Sequence, residues 1–427
     1  MTQNKNLRVF TRRKALQAMT VTIDDIRAAA AQLEGHIVRT PMLAAPKLGE
    51  LTAAEIFLKH ENLQYTNSFK DRGAFVKLAK LGKDERRRGV IAMSAGNHAQ
   101  AVAYHAAGLG IPATIVMPET TPFVKVERTE NLGATVVLEG ETLAESQVAA
   151  EAIIKERDLV LVHPYDDPAI IAGQGTVALE MLEDVPDLDV LIAPIGGGGL
   201  ISGCAIAAKA LKPDIEIIGV EAALYPSMTA ALSGKRAACG GNTLAEGIAV
   251  KNVVERTVSV VRELVDDVVC LEETIIERAV NVCLTLQKSV VEGAGAAALG
   301  AVMMEPERYR GRRLGLIVSG GNIDPRILGS IIFRELVRDS RIISFRVKIP
   351  DSPGILGRIS TFIGTQGANI LEVSHRRMFL DVTAKGAELE LMVETRDGAH
   401  AERLLGAIRE LGFVVSLLDA PGGRESA

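Results

Sequence analysis

Between residues 20 and 335 the chain alternates between short apolar runs and longer stretches with helical periodicity. This alternation restricts the fold more than any other feature, because repeated β-α-β units build a parallel sheet covered by helices on both faces. Ligands of such sheets bind beyond the carboxyl ends of the strands, so the loops there are where we expect chemistry. The predicted strands are Val90–Ser94, Ala113–Met117, Thr135–Leu138, Val190–Pro194, Glu216–Val220 and Leu314–Val318.

Predicted helices lie between these strands. Thr22 is predicted to cap a first helix that begins at Ile23. The uncharged stretch Val190–Ala208 is long enough to cross a bilayer, but Pro194 and four consecutive glycines would break a helix exposed to lipid. We interpret it as a strand, a loop and a buried helix. The other predicted helices in this region include Ala99–Ala107, Lys125–Leu132 and Ile201–Lys209.

The C-terminal part has a different pattern, in which apolar and polar residues alternate as in antiparallel strands. The predicted order is βαββαβ, a ferredoxin-like unit. The charged segment Arg334–Arg341 is interpreted as the joint before it. The predicted elements are the strands Ile342–Ile349, Asn369–Ser374, Ala387–Glu394 and Phe413–Leu418, and the helices Ile355–Gly364 and Ala399–Leu411.

Composition excludes some classes of function. With 48% hydrophobic and 24% charged residues the chain is typical of a globular protein. A net charge of −5, 4% aromatic residues and no tryptophan disfavour nucleic-acid binding. The basic segment 1–18 lacks an apolar continuation, so we interpret it as a disordered extension, or as the result of a start codon assigned too far upstream, rather than as an export signal. Four cysteines form no CxxC pair and indicate a reducing compartment; they are Cys204, Cys239, Cys270 and Cys283.

Lys70, within the motif Ser68–Gly73, is the first candidate for chemistry. A lysine amine can form a Schiff base with an aldehyde cofactor and later act as a base. A lone lysine is more often a solvated surface charge. A second motif, Ser94–Gln100, lies where a predicted strand meets a helix, and exposed amides at a helix start suit a carboxylate. Simple helix capping by Ser94 or Asn97 is the alternative.

Four glycines, Gly196–Gly199, follow one strand and open a helix, which suits a phosphate. The dinucleotide spacing G-x-G-x-x-G is absent from this loop, although Glu221 ends the next strand, so NAD(P) stays a weaker alternative. Ser319–Asn322 follows another strand and offers a neutral hydroxyl, or is a plain turn. Glu292, at a helix start, is interpreted as compensation of the helix dipole.

In this order and spacing the motifs resemble the threonine dehydratases (threonine ammonia-lyases) of the tryptophan-synthase-β-like class of pyridoxal phosphate (PLP) enzymes. The resemblance covers Ile23 to Asn322, and the tail resembles an ACT domain, a small amino-acid-sensing module. It implies an α/β fold: a fold type II catalytic domain of two α/β subdomains over residues 19–335, and a ferredoxin-like ACT domain over residues 342–420.

Carried over to this chain, the resemblance implies roles for individual residues. Lys70 would hold PLP and Phe69 would pack against its ring. Asn97 would bond the phenolic oxygen, and Ser319 would face the pyridine nitrogen. The phosphate would lie on Gly196, Gly197, Gly198, Gly199 and Leu200. The substrate carboxylate would lie on Ser94, Ala95, Gly96, Asn97 and His98.

The implied reaction is the β-elimination of water and ammonia from L-threonine to give 2-oxobutanoate. Serine would be a side substrate, because a missing methyl group discriminates by only about 1–3 kcal/mol. Isoleucine or valine would regulate the enzyme at Asp351, Ser352, Pro353 and Gly354, unless the ACT-like tail is a dimerisation module without a ligand. The implied protein is a cytoplasmic homodimer or homotetramer without nucleic-acid or membrane partners.

Two departures from the class affect the predicted reaction and the predicted metal content. Serine racemases of the class carry a serine where this chain has Ala95, which favours a dehydratase. Some relatives bind a divalent cation through acids near Glu221, but Ser227 stands where an acid would be expected, so no metal is predicted. The alternatives are an amino-acid sensor on an inactive scaffold, which would have lost Lys70 or the glycines, a β-replacement enzyme such as a cysteine synthase, and an NAD(P) dehydrogenase.

Overall fold

The computed structural model describes residues 21–377 and 386–418, which form two compact units that divide between Ile323 and Asp324. The predicted extension, residues 1–18, lies outside the described residues, as do residues 419 and 420 of the predicted ACT range. A helix over Pro325–Arg338 belongs to the second unit, so Arg334 lies in a helix rather than in an extended joint. The domain limits at residues 335 and 342 stay predictions.

Over its described residues, 21 to 323, the first unit contains ten strands in two sheets. They are β1 (Met42–Ala44), β2 (Glu55–His60), β3 (Val90–Met93), β4 (Ala113–Met117), β5 (Thr135–Leu138), β6 (Val160–Leu161), β7 (Val190–Pro194), β8 (Glu216–Ala222), β9 (Asp267–Leu271) and β10 (Arg313–Val318). The larger sheet has the order β1-β2-β10-β7-β8-β9, and the smaller has the order β5-β4-β3-β6. All pairs are parallel except β1 with β2. The expected pair of α/β subdomains is therefore confirmed.

Helices surround both sheets. They are α1 (Ile23–Leu33), α2 (Pro46–Thr52), α3 (Lys70–Ala79), α4 (Lys83–Arg88), α5 (Asn97–Gly108), α6 (Phe123–Asn131), α7 (Leu143–Arg157), α8 (Pro168–Asp184), α9 (Gly199–Leu211), α10 (Ser227–Leu232), α11 (Glu255–Leu264), α12 (Glu273–Gln287), α13 (Gly293–Met304) and α14 (Pro306–Tyr309). The predicted Thr22 cap of α1 is confirmed, because its hydroxyl accepts from the Asp25 amide and the Asp25 carboxylate accepts from the Thr22 amide.

Close packing of three helices places the start of α3. A Cβ on Gly173 of α8 would lie 2.7 Å from the Gly73 Cα of α3, and a Cβ on Gly203 of α9 would lie 2.3 Å from the Ile171 carbonyl oxygen. Glycine is therefore required where α8 crosses its two neighbours. The stretch from residue 190 to 208 is the predicted strand, loop and buried helix. Among the residues described, no helix combines the length and apolar composition that a membrane span needs.

The second unit has the predicted βαββαβ order, preceded by one helix. Its elements are α15 (Pro325–Arg338), β11 (Ile342–Pro350), α16 (Ile355–Thr365), β12 (Asn369–Arg376), β13 (Gly386–Glu394), α17 (Gly398–Glu410) and β14 (Val414–Leu417). The sheet is antiparallel with the order β12-β13-β11-β14. The buried face of β11 carries every second residue of the strand, namely Phe345, Val347 and Ile349. These side chains pack against α16 and α17.

Candidate active site

The loop before α3 pairs with the loop after β10. The Phe69 amide donates to the Ser319 carbonyl oxygen at 3.1 Å, and the Gly321 amide donates to the Asn67 carbonyl oxygen at 2.9 Å. Ser68 and Gly320 form an antiparallel bridge between them. The structure thus brings the Lys70 motif and the Ser319 motif together, although the chain separates them widely.

Asn97, the first residue of α5, joins the same cluster through its side chain. Its Oδ1 accepts from Asn322 Nδ2 at 2.7 Å, and Asn322 Nδ2 also donates to the Thr66 carbonyl oxygen at 2.8 Å. Its Nδ2 donates to Glu292 Oε1 at 2.7 Å. Both ends of the Asn97 amide are therefore held in place.

The Lys70 amine lies in a partly buried position and donates to the Pro164 carbonyl oxygen at 2.7 Å. Burial lowers the pKa of Lys70 to about 8, although the nearby Glu292 carboxylate opposes this shift. Because an exposed lysine has a pKa near 10.4, this amine is neutral far more often near pH 8 than an ordinary lysine. A neutral amine is the form that reacts with an aldehyde or accepts a proton.

The glycine loop after β7 presents a row of free amides. Among the described residues, no acceptor pairs with the backbone N–H groups of residues 196 to 201, and the first amide bonded within the new helix is Ser202, which donates to the Gly198 carbonyl oxygen at 3.0 Å. Gly198 has φ of 90°, which favours glycine. Free amides at a helix N-terminus form an anion site, so the loop fits a phosphate.

Tyr165, which no sequence motif indicated, lies between the lysine and the glycine loop. It follows Pro164, the acceptor of the Lys70 amine, and a Cβ on Gly197 would lie 2.2 Å from the Tyr165 ring. Its hydroxyl donates to the Asn252 carbonyl oxygen at 2.9 Å. The sequence contained no signal for this residue, because the short strand β6 that precedes it was not predicted.

The residues of the Ser94–His98 loop differ in their exposure to solvent. Ser94 Oγ accepts from the Gly96 amide at 3.2 Å, which shapes the turn, and residues 94 to 97 are partly exposed. His98 is buried, and its Nε2 lies 2.7 Å from the Val162 carbonyl oxygen. Burial, reinforced by the Lys70 charge, lowers the pKa of His98 to about 3, so this ring is neutral at physiological pH.

A family model for pyridoxal-phosphate dependent enzymes matches residues 33–320. The chain belongs to this family. A second model, for the ACT domain, matches residues 343–413. Both matches fall within the predicted domain ranges.

The PLP-enzyme family includes close relatives of the whole chain. The L-threonine ammonia-lyase of Thermotoga maritima is 42% identical over 400 residues, which are 93% of this chain and 100% of the relative. The solved processed form of threonine deaminase isoform 2 from Solanum lycopersicum superposes with a TM-score of 0.69 at 34% identity, over 73% of this chain and 86% of that chain. Maize serine racemase superposes with a TM-score of 0.70 at 35% identity, over 74% and 98%.

The site residues fit the PLP of this family. An amine with a lowered pKa, a row of free amides and a fixed asparagine amide match the aldehyde, phosphate and phenolic oxygen that PLP presents. Ser319 is 2% exposed, and no described group bonds its hydroxyl, which leaves it available to a ring nitrogen. The Lys70 amine lies 5.2 Å from the centroid of the Phe69 ring.

Two acids have partners that the sequence did not reveal. Glu292 precedes α13, but its side chain accepts no hydrogen bond from the first amides of that helix. It bonds Asn97 instead. Glu221 accepts from the Met228 amide at 2.6 Å and from the Thr229 amide at 2.9 Å, and so stabilises the start of α10.

Proposed function

We propose that this PLP enzyme eliminates water and then ammonia from L-threonine and releases 2-oxobutanoate. The Cα proton and the β-hydroxyl group leave as one water molecule. A water molecule then replaces the amino group, which leaves as ammonia, so the atoms of threonine equal those of the two products. The observation that carries this proposal is that backbone hydrogen bonds link the Lys70 loop to the Ser319 loop, and that side-chain hydrogen bonds join Asn97 to Asn322 of the Ser319 loop and to Glu292.

Each role follows from the chemistry of the side chain. Bound PLP supplies an aldehyde that captures the substrate amine and a conjugated ring that delocalises the electron pair left at Cα. Lys70 holds the cofactor and, once displaced, takes the Cα proton at Nζ, which its lowered pKa favours. The free amides beyond β7 bind the phosphate. Ser319 offers a hydroxyl instead of a carboxylate, so it does not stabilise a proton on the ring nitrogen.

The substrate loop favours elimination over racemisation. The amides of Ala95, Asn97 and His98 bind the substrate carboxylate, because the Ser94 amide already donates to the Val116 carbonyl oxygen and the Gly96 amide to Ser94 Oγ. The neutral, buried His98 ring contributes to the shape of the loop rather than to its charge. A racemase needs an acid or base on each face of Cα. Ala95 supplies no such group, and this distinguishes the chain from the serine racemases that share its fold.

The second unit is proposed to bind an amino-acid effector, isoleucine or valine. Asp351, Ser352, Pro353 and Gly354 form an exposed loop between β11 and α16. Gly354 has φ of 84° and lies at the start of α16, and Asp351 pairs with Arg377 at 3.2 Å. A cation and an anion at one loop suit the two charged ends of an amino acid. We also propose a cytoplasmic homodimer or homotetramer.

Absorbance and product release together test the proposed activity. The purified protein, reconstituted with PLP, should show a visible band that borohydride bleaches, and should convert L-threonine to 2-oxobutanoate. Lys70→Ala should lose both, whereas Lys80→Ala, an exposed lysine at the end of the same helix, should keep both. A band in Lys70→Ala equal to that of the wild type would assign the cofactor to another residue. If the wild type shows the band but releases no keto acid from threonine, both with and without isoleucine or valine, the assignment of threonine as the substrate is wrong.

A further inference from the structure

The Glu292 carboxylate faces the cofactor loops instead of its own helix. Its Oε1 accepts from Asn97 Nδ2 at 2.7 Å, and its amide donates to the Gly320 carbonyl oxygen at 3.1 Å. The chain separates Glu292 from Asn97 by 195 positions. A carboxylate at a helix start normally accepts from the first amides of that helix, and here it does not.

Two glycines make room for this carboxylate. A Cβ on Gly320 would lie 2.4 Å from Glu292 Oε1 and 3.1 Å from Asn97 Nδ2. A Cβ on Gly247 would lie 3.3 Å from the same oxygen. The backbone from two separate loops is therefore shaped around the contact between Glu292 and Asn97.

The contact determines how the Asn97 amide is oriented. Asn322 holds the oxygen end and Glu292 holds the nitrogen end, so the amide plane cannot rotate or flip without losing a hydrogen bond. An amide nitrogen carries two N–H groups. One is used by Glu292, and the second is left for another acceptor.

We propose that Glu292 is a positioning residue for the cofactor, which orients the second N–H of Asn97 Nδ2 towards the phenolic oxygen of PLP. This inference rests on the proposed function, since it takes Asn97 as the partner of that oxygen. In this role Glu292 needs no contact of its own with the cofactor. It acts through Asn97, because without Glu292 the side-chain amide of Asn97 would be held only at its oxygen end, by Asn322.

The charges around Glu292 support a specific contact. Burial raises the pKa of Glu292 to about 7, while the hydrogen bond from Asn97 opposes this shift. Glu246 raises the pKa of Glu292 and Lys125 lowers it, and these two residues pair with each other at 2.6 Å. The Glu292 carboxylate also acts on the Lys70 amine, whose pKa it raises. A carboxylate kept in such a place needs the hydrogen bonds that compensate for lost hydration.

Two substitutions with side chains of similar size distinguish the effect of the hydrogen bond from the effect of side-chain volume. Glu292→Gln keeps an oxygen that accepts from Asn97, and Glu292→Met removes it. We expect Glu292→Met to weaken PLP binding roughly tenfold, because the loss of one buried hydrogen bond has an effect of this size. The substitution should also shift the visible absorbance band of PLP. Glu292→Gln should stay close to the wild type in affinity. Glu246→Gln removes a neighbouring carboxylate that does not bond Asn97 and should leave affinity and band unchanged.

A double-mutant cycle shows whether Glu292 acts through Asn97. On an Asn97→Ala background, Glu292→Met should add no further loss of PLP affinity. Additive losses would overturn the proposal, as would a Glu292→Met protein with wild-type affinity and spectrum. If Glu292→Met does not fold, Glu292→Ala takes its place in the cycle. A wild-type protein without any PLP band contradicts the proposed function instead, so the two failures are distinguishable.

Discussion

Arg72 forms a bidentate ion pair with Glu61, in which Nε donates to Oε2 at 2.8 Å and Nη2 donates to Oε1 at 2.7 Å. Both side chains are 0% exposed. Arg72 also pairs with Glu180 at 2.6 Å, and Lys59 pairs with Glu180 at 2.6 Å. Two cations and two acids thus form one buried network. Its Arg72 lies two residues after Lys70, and the pair between Arg72 and Glu180 connects α3 to α8.

Removal of Arg72 should therefore destabilise the first unit strongly. Arg72→Ala leaves two enclosed carboxylates without their main partner, which costs about 3–5 kcal/mol of unfolding free energy. The shift of the urea midpoint of the apo-protein measures this loss. Arg310→Ala breaks an exposed pair with Glu307 and serves as the control, with no expected change. Equal midpoints for the two variants would show that the enclosed network does not hold the unit together.

The rate at which apo-protein captures PLP should rise with pH around a midpoint near 8. The reacting form is the neutral Lys70 amine, and its pKa is lowered to about 8, so the neutral fraction grows as pH rises through that value. Stopped-flow absorbance over a pH series gives the midpoint. Because the Glu292 anion raises the pKa of Lys70, Glu292→Gln should move the midpoint lower. A midpoint near 10, the value of an exposed lysine, would contradict the burial argument.

Ser319→Asp should shift the enzyme from elimination towards transamination. A carboxylate facing the ring nitrogen would stabilise a proton there, whereas the serine hydroxyl does not. The ratio of 2-oxobutanoate to pyridoxamine phosphate formed during turnover measures the change. Ser319→Ala, which adds no charge, should leave that ratio unaltered. An unchanged ratio in Ser319→Asp would remove the proposed reason for a serine at this buried position.

Ala95→Ser should introduce detectable racemisation of serine. The new hydroxyl would lie in the partly exposed loop before α5 and supply an acid or base that the wild type lacks. Chiral chromatography of serine after incubation measures D-serine formation, with Ala95→Gly as a control that adds no hydroxyl. The absence of D-serine from Ala95→Ser would show that this residue alone does not separate the two activities.

Gly354→Ala should destabilise the second unit by about 1–2 kcal/mol, since φ of 84° is unfavourable for alanine while no atom lies within 4 Å of the added Cβ. Gly357→Ala, inside α16 and equally open, should be neutral or stabilising by up to about 1 kcal/mol. Differential scanning calorimetry compares the two. We also expect Gly354→Ala to weaken any response of activity to isoleucine, which an unaltered response would contradict.

Much of the fold could be predicted from local pattern. The bounds of Ala113–Met117, Thr135–Leu138 and Val190–Pro194 were predicted to the residue, because short buried strands end where apolar runs end. The starts of the helices at Ile23 and Ile355 were also predicted correctly. In contrast, α5 begins at Asn97 instead of Ala99, because the polar residues of its first turn do not belong to the apolar pattern that predicted the helix. The division into two α/β subdomains followed from the resemblance, whereas the order of the strands within each sheet was not predicted and comes from the structure.

The sequence by itself determined the α/β class through its periodicity, and its motifs carried the resemblance that implied the family, the cofactor and the fold type. Tertiary structure alone decided which remote groups meet. A glutamate at a helix start has the same local sequence whether it caps that helix or bonds an asparagine 195 positions away. Likewise, the pKa of Lys70 is lowered because the folded chain removes water from its amine, and no local pattern encodes that loss of hydration.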